Sequence, residues 1–167
     1  MHVPAEQDLF EQLFASEYAG VTAAARRIVG KHCAEDIAQE AFAALYRGGP
    51  MDREHARNWL YRTALHRSLD LLRAGRRREA REVALLAGEH AETPHDAAER
   101  GEARARVFKT LRRIRRRYAA VLALRYSDFS YKEIAAILNV NVNQVGTLLL
   151  RAEAAFKKEF DGVSSVK

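Results

Sequence analysis

The sequence has a single cysteine, Cys33, among 167 residues. One thiol excludes an internal disulfide and any zinc site built from several cysteines. His32 lies beside it, but adjacent residues on a helix point about 100° apart, which favours a packed or half-exposed thiol over a pair of metal ligands. We therefore expect no bound metal and no cofactor.

Long apolar runs are also missing. None approaches the roughly 20 residues that a helix needs to cross a bilayer. The first residues carry acids where a signal peptide needs cations. We expect a soluble, cytoplasmic protein without membrane insertion.

The alternation that is typical of β-strands is almost absent, and long segments rich in Ala, Leu, Arg and Glu are separated by Pro and Gly. This pattern predicts an all-α protein. The histidines are scattered and there is no glycine-rich phosphate loop, so we expect no catalytic residues and no enzyme. A nucleic-acid-processing enzyme would need clustered carboxylates. Asp36 and Glu40 are one helical turn apart, but no third acid clearly joins them.

Positive charge is in excess, with 28 Lys and Arg against 22 Asp and Glu, a net charge of +6. A basic balance of this kind favours a polyanionic partner, and nucleic acid is the first candidate.

The composition divides the chain into three parts. Residues 1–76 contain three predicted helices that can close one small core. Residues 77–102 are rich in acids and include Pro94, which indicates a flexible linker that leaves the flanking units free to move. Residues 103–167 begin with a basic segment, Arg104–Arg117, which we predict to be one helix with a buried and a cationic face.

The segment from Phe129 to Phe156 is predicted to be a helix-turn-helix. Ser130 and Glu133 have capping-box spacing, Asn139 suits a left-handed turn, and Asn141 can cap the next helix. A plain helical hairpin without a ligand is the alternative, but the short turn and the basic segment upstream favour a DNA-binding unit. The second helix has a predicted buried stripe formed by Val145, Leu149, Ala152, Phe156 and Phe160.

Three segments resemble the extracytoplasmic-function (ECF) sigma factors of bacterial RNA polymerase. Tyr118–Val145 looks like sigma region four, Ala34–Arg47 like the polymerase-binding helix of region two, and Ala56–Arg73 like the helix that handles the minus-ten element. They occur in the family's order. The resemblance implies an N-terminal helical bundle, residues 1–76, joined by the linker, residues 77–102, to a C-terminal helix-turn-helix domain, residues 103–167.

The resemblance also implies site residues in the N-terminal bundle. A carboxylate and amide face suits the basic coiled coil of the polymerase clamp, and its residues are Asp36, Gln39, Glu40 and Phe42. DNA contacts of this bundle are expected from Arg53, Arg57, Asn58, Arg62 and His66. Trp59 matches the family as well, but a tryptophan in a three-helix bundle favours a core position over base stacking.

The recognition helix departs from the family, because Gly146, Leu148, Leu150 and Glu153 stand where cations are common. We expect the basic segment to supply phosphate contacts instead, through Arg113 and Arg116. Base reading then falls to the start of the recognition helix, whose candidate DNA-binding residues are Asn141, Asn143, Gln144, Thr147 and Arg151. The rival interpretation makes Leu148 and Leu150 a protein-docking patch.

The implied function is that of a sigma factor that binds core RNA polymerase and directs it to promoters. Its nucleic-acid partners would be promoter double-stranded DNA and the melted minus-ten strand, and an anti-sigma factor stays open as a further partner. A stand-alone repressor or activator is the alternative, and it would need its own dimer interface and a palindromic site.

Overall fold

The computed structural model describes residues 4–48, 52–74 and 94–164, with side chains over 8–48, 52–74 and 100–162. Within these ranges the structure contains helices and no strand. They are α1 (Pro4–Val29), α2 (Lys31–Arg47), α3 (Arg53–Ala74), α4 (Pro94–Arg113), α5 (Arg116–Arg125), α6 (Tyr131–Leu138) and α7 (Val142–Ser164). The predicted all-α class is therefore confirmed.

Helices α1, α2 and α3 form an N-terminal unit in which each helix packs against the other two. The centre is lined by fully buried Leu13, Ile28, Leu60 and Leu69. Gly30 is the single residue between α1 and α2 and has a φ of 80°. A side chain is disfavoured at such a φ, so glycine lets the chain reverse within one residue.

The C-terminal unit consists of α4 to α7, and α7 packs against the other three helices. Val145, Leu149 and Ala152 form its buried stripe, as predicted. Phe156 and Phe160, which were predicted to continue that stripe, are half-buried and stack on each other with ring centroids 5.7 Å apart.

The basic segment is not one helix, and that prediction was wrong. Helix α4 ends at Arg113, and α5 begins at Arg116 after an extended residue, Arg115, with φ −58° and ψ 140°. Ile114 between them is buried, and its carbonyl accepts a hydrogen bond from Arg73 of the N-terminal unit. The break therefore frees a carbonyl for a tertiary contact.

The predicted linker is shorter than expected. Residues 94–102, which we placed in it, belong to α4. Proline is favoured in the first helical turn, and the Ala, Glu and Arg residues that follow are good helix formers. Residues 77–93 lie outside the described residues.

The two units pack against each other, whereas the sequence predicted units free to move. Helix α3 contacts α4, α5 and α6, and α1 contacts α5. The buried side chains of both units form one continuous apolar cluster. This packing brings the predicted DNA-binding residues of α3 next to the helix-turn-helix.

Candidate polymerase and nucleic-acid interface

The turn between α6 and α7 is built from short-range hydrogen bonds. The Ser130 hydroxyl accepts from the backbone N–H of Glu133, and the Glu133 carboxylate accepts from the backbone N–H of Ser130, which completes the predicted capping box. Asn139 ends α6 with φ 54° and ψ 54°. Asn141 then accepts from the Asn143 N–H through Oδ1 at 2.9 Å. These bonds set the angle at which α7 leaves the turn.

Helix α7 presents a polar outer face at its start. Asn143, Gln144 and Thr147 are exposed, whereas Val145 and Leu149 point into the core. Side-chain amides pair in bidentate fashion with adenine in the major groove. Asn141 is exposed as well, but its Oδ1 holds the cap, which leaves its amide N–H donors for a ligand. Arg151 is exposed one turn after Thr147.

The two leucines of the rival docking patch differ in their surroundings. Leu148 is half-buried and packs against the core, whereas Leu150 is 69% exposed. Gly146 lies near the ring of Tyr131, and an added Cβ would meet Cε2 of that ring at 3.7 Å. Leu148 and Leu150 therefore do not form one exposed apolar patch, although Leu150 itself is open to solvent.

The two arginines proposed for phosphate contact are also not equivalent. Arg113 is exposed, and its Nη1 lies 4.0 Å from Oε2 of Glu159 on α7. Arg116 donates to the carboxylate of Asp70 and to the carbonyl of His66, both on α3. Of these two arginines, Arg113 projects from the C-terminal unit and Arg116 bridges to the N-terminal one.

The expected polymerase face lies on α2. Asp36, Gln39 and Glu40 are exposed, and Phe42 is 2% exposed and belongs to the core. Phe42 contacts the rings of α1 instead, so it holds α2 in place and does not face a partner in this conformation. Glu40 pairs with Arg67 of α3.

Two of the three predicted DNA-binding residues near the start of α3 are held by other side chains. Arg53 donates to Gln12 at 3.0 Å. Arg57 bridges two carboxylates, Glu17 at 3.2 Å and Glu133 at 3.0 Å. Asn58 is half-buried.

The predicted residues further along α3 meet the helix-turn-helix. Arg62 donates to the last carbonyls of α6, at 2.7 Å to Ile137 and 3.3 Å to Ala136. His66 is exposed, and its backbone carbonyl accepts from Arg116. Trp59 is half-buried against the core, as expected.

Two groups in this region have a pKa below its usual value. Hydrogen bonds from Ser130, reinforced by Arg57, hold the pKa of Glu133 below its usual value, so it stays a carboxylate. Partial desolvation of the His66 side chain, with Arg116 and Arg62 nearby, lowers its pKa and favours its neutral form.

The pairing of several residues across the two units was not predicted from the sequence. Glu133 was predicted only as part of the capping box, and its carboxylate also forms an ion pair with Arg57. Phe129 packs edge-on against Tyr61 with centroids 4.8 Å apart, and Asp70 receives Arg116. These pairs are separated by tens of residues along the chain, and no local pattern marks such partners.

Within the side chains that are described, no group of three or more His, Cys, Asp or Glu is arranged to hold a metal ion. In the same part of the chain, no single helix has the length and hydropathy to cross a membrane, and α6 with α7 meets that test only as a pair bent by 90°.

Comparison with known proteins gives matches in both units. The model for Sigma-70 region 2 matches residues 13–78, and that for Sigma-70 region 4 matches residues 104–156. The RNA polymerase sigma-H factor of Pseudomonas aeruginosa is 33% identical over 138 residues, covering 75% of this chain and 72% of that protein. RNA polymerase sigma factor YlaC of Bacillus subtilis is 30% identical over 160 residues, covering 91% of this chain and 92% of that protein.

Two further proteins are similar over most of their length. The ECF RNA polymerase sigma-E factor of Escherichia coli is 29% identical over 163 residues, covering 90% of this chain and 85% of that protein. The solved structure of CnrH in complex with the cytosolic domain of CnrY has a TM-score of 0.57 at 24% identity, covering 93% of this chain and 90% of that one. This last likeness concerns the fold.

Proposed function

The chain belongs to the ECF group of RNA polymerase sigma factors and directs transcription initiation, and from that premise we propose how its residues divide the work. Residues 1–76 bind core polymerase and the melted minus-ten strand, and residues 103–167 bind the minus-thirty-five element as double-stranded DNA. The protein acts in the cytoplasm as a non-catalytic initiation factor.

Base reading is assigned to the start of α7. The observation that carries this assignment is the exposed amide pair, Asn143 and Gln144, on a helix whose entry is fixed by the Asn141 cap. Thr147 and Arg151 extend the same face. Phosphate contacts come from Arg113, and from Arg116 once it is released from Asp70.

Polymerase binding is assigned to Asp36, Gln39 and Glu40, because they form an exposed acidic and amide face on α2. Phe42 supports that face from the core. An anti-sigma factor is a further proposed partner. CnrH is similar in fold and is found with the cytosolic domain of CnrY, and this supports the proposal by analogy.

The test is association with core RNA polymerase, measured by size-exclusion chromatography. The double variant Asp36→Lys/Glu40→Lys should lose association while circular dichroism keeps its helical signal. Glu153→Lys, a charge reversal on exposed α7, is the matched control and should keep polymerase association. Undiminished binding of the α2 variant would remove polymerase binding from this face.

A further inference from the structure

Leu150 has no part in the proposed function as assigned so far. Of the large apolar side chains that the structure describes, it is the most exposed, at 69%. A helix turns by about 100° per residue, so Leu150 lies within about 20° of Asn143 around α7, seven residues further along. Leu150 therefore shares the outward face of the proposed base-reading amide and does not form a separate surface.

The outward face of α7 has the spacing of a major-groove reader. Asn143, Thr147 and Leu150 stand at positions i, i+4 and i+7, and all three are exposed. The helix with which a homeodomain reads the major groove contacts DNA through residues at this spacing. None of the three side chains is charged, and Leu150 has neither a hydrogen-bond donor nor an acceptor. A base edge that meets Leu150 must therefore offer an apolar group.

Thymine is the base that offers such a group, because its C5-methyl lies in the major groove. A leucine placed against the acceptors of guanine or the amino group of cytosine would exclude water from a polar group and leave it without a partner, which is unfavourable. Against the thymine methyl, the same leucine buries apolar surface on both sides. The amide of Asn143 suits adenine, so both residues favour A·T pairs.

Gly146 gives an independent indication of a ligand on this side of α7. Glycine is among the least favourable residues in the interior of a helix. The fold does not require it here, because an added Cβ would meet Cε2 of Tyr131 at 3.7 Å, which is an ordinary contact. Glycine also lets a helix backbone approach a ligand closely. Gly146 is one turn before Leu150, so a close approach at Gly146 brings Leu150 nearer to the same ligand.

We propose that Leu150 determines sequence specificity by packing against a thymine methyl in the minus-thirty-five element, and that Gly146 lets α7 lie deep enough in the groove for this contact. Seven residues of helix span about 10 Å, so this thymine lies about three base pairs from the adenine that pairs with Asn143. The proposal rests on the proposed function, which assigns this face to duplex DNA, and it adds the class of base pair that is read.

The test removes the thymine methyl alone. The full chain in complex with core RNA polymerase selects duplexes from a random pool, and a selected duplex is remade with deoxyuridine in place of thymine, one position at a time. Deoxyuridine lacks the C5-methyl and keeps the base pairing. Affinity of the complex is measured by fluorescence anisotropy. At one thymine of the upstream element, we expect the replacement to weaken binding roughly two- to fivefold, as for the loss of one buried methyl group.

Leu150→Ala identifies the residue that meets the methyl. Leu150 is exposed and alanine is favourable in a helix, so the variant should fold. It should bind the thymine and deoxyuridine duplexes equally. Leu148→Ala is the matched control, because Leu148 is half-buried against the core, and it should keep the wild-type ratio of the two affinities. A methyl effect that persists in Leu150→Ala would overturn the proposal.

Gly146→Ala separates a role in binding from a role in folding. The change should raise Tm by roughly 1–4 °C, because alanine is the better helix former and the new methyl group has room. Binding of the selected duplex should nevertheless weaken at least about threefold, since a Cβ would hold the helix away from the groove. Stability and affinity would then change in opposite directions, which a structural role does not produce. Unchanged or tighter binding would overturn the assignment of Gly146 to the groove.

The remaining outcomes distinguish this proposal from the proposed function. If the complex selects no sequence, base reading fails and the thymine contact fails with it. If a sequence is selected and no deoxyuridine changes the affinity, the thymine contact alone is overturned and the amide contacts stand. If Leu150→Ala loses association with core polymerase in size-exclusion chromatography, Leu150 binds a protein and the proposal is overturned.

Discussion

Gly20 allows a close contact in the N-terminal unit, and its replacement gives a test of that packing. A Cβ at this position would lie 2.2 Å from the hydroxyl oxygen of Tyr61. That hydroxyl is buried and donates a hydrogen bond to the carboxylate of Glu17 at 3.1 Å. The same carboxylate also accepts from Arg57. Burial first, and Glu17 next, raise the pKa of Tyr61 well above its usual value, so the hydroxyl keeps its proton.

Two opposing effects set the magnitude for Gly20→Ala. In a helix interior the change to alanine ordinarily stabilises by about 1 kcal/mol. Here the methyl group must displace the Tyr61 hydroxyl, and overpacking of this kind costs about 1–3 kcal/mol. Weakening a buried bond to a charged acceptor adds about 1.5–3 kcal/mol. We expect a net loss of roughly 1.5–5 kcal/mol in the free energy of unfolding.

The background Tyr61→Phe should reverse the sign. Without the hydroxyl, the nearest ring atom would lie 3.4 Å from the new Cβ, which is a tight but tolerable contact. Gly20→Ala should then stabilise the protein by up to about 1 kcal/mol. Urea denaturation followed by fluorescence of Trp59, the only tryptophan, reports on the N-terminal unit. If Gly20→Ala is neutral or stabilising with Tyr61 present, the packing argument is refuted.

Three further predictions concern DNA and pH. Replacing Asn143 or Gln144 with Ala should reduce discrimination at one base pair by about 1–3 kcal/mol and leave the salt slope nearly unchanged, as measured by anisotropy on promoter variants; an equal loss on all sequences would contradict base reading. Arg113→Ala should weaken binding to every duplex and reduce the salt slope by about one, with Lys157→Ala as the exposed comparison. The pKa of His66 is lowered in the folded state, so neutral His66 stabilises the packing of the two units above its ordinary pKa of 6.5. This stabilisation is lost as the pH falls below that value. The radius of gyration should therefore rise as the pH is lowered from about 7.5 to 5.5. His66→Gln should flatten that dependence, and an unchanged dependence would assign it to another group.

The local chemistry of the helix-turn-helix could be predicted because each of its signals lies within a few residues. Ser130, Glu133, Asn139 and Asn141 all act as the sequence indicated. Capping and left-handed turns depend on the identity of one or two side chains and on little else. The family and the all-α class followed from several such signals in the right order.

The tertiary features were not predictable in the same way. Ile114 fits the helical spacing of the basic segment, but its carbonyl accepts from Arg73, and the helix breaks there. Likewise, the family resemblance implied DNA contacts for Arg57 and Arg62, whereas in this structure a carboxylate and a helix end accept their hydrogen bonds. An arginine in a sequence does not specify which oxygen it will meet.

The roles of Phe42 and Glu133 illustrate the same limit for the site. Phe42 matched the polymerase-binding pattern and is a core residue. Glu133 matched a capping box and also pairs with Arg57 across the two units. A single position can satisfy a local motif and a distant contact together, and only the packed structure shows the second.

The most direct test of the central claim is run-off transcription with core RNA polymerase from a library of random promoter sequences. With this protein added, we predict transcripts from a subset of templates that share two elements separated by a fixed spacing, and none from core polymerase alone. The Asp36→Lys/Glu40→Lys variant should abolish them all. Transcripts without a shared sequence, or none beyond the core-only background, would contradict the account.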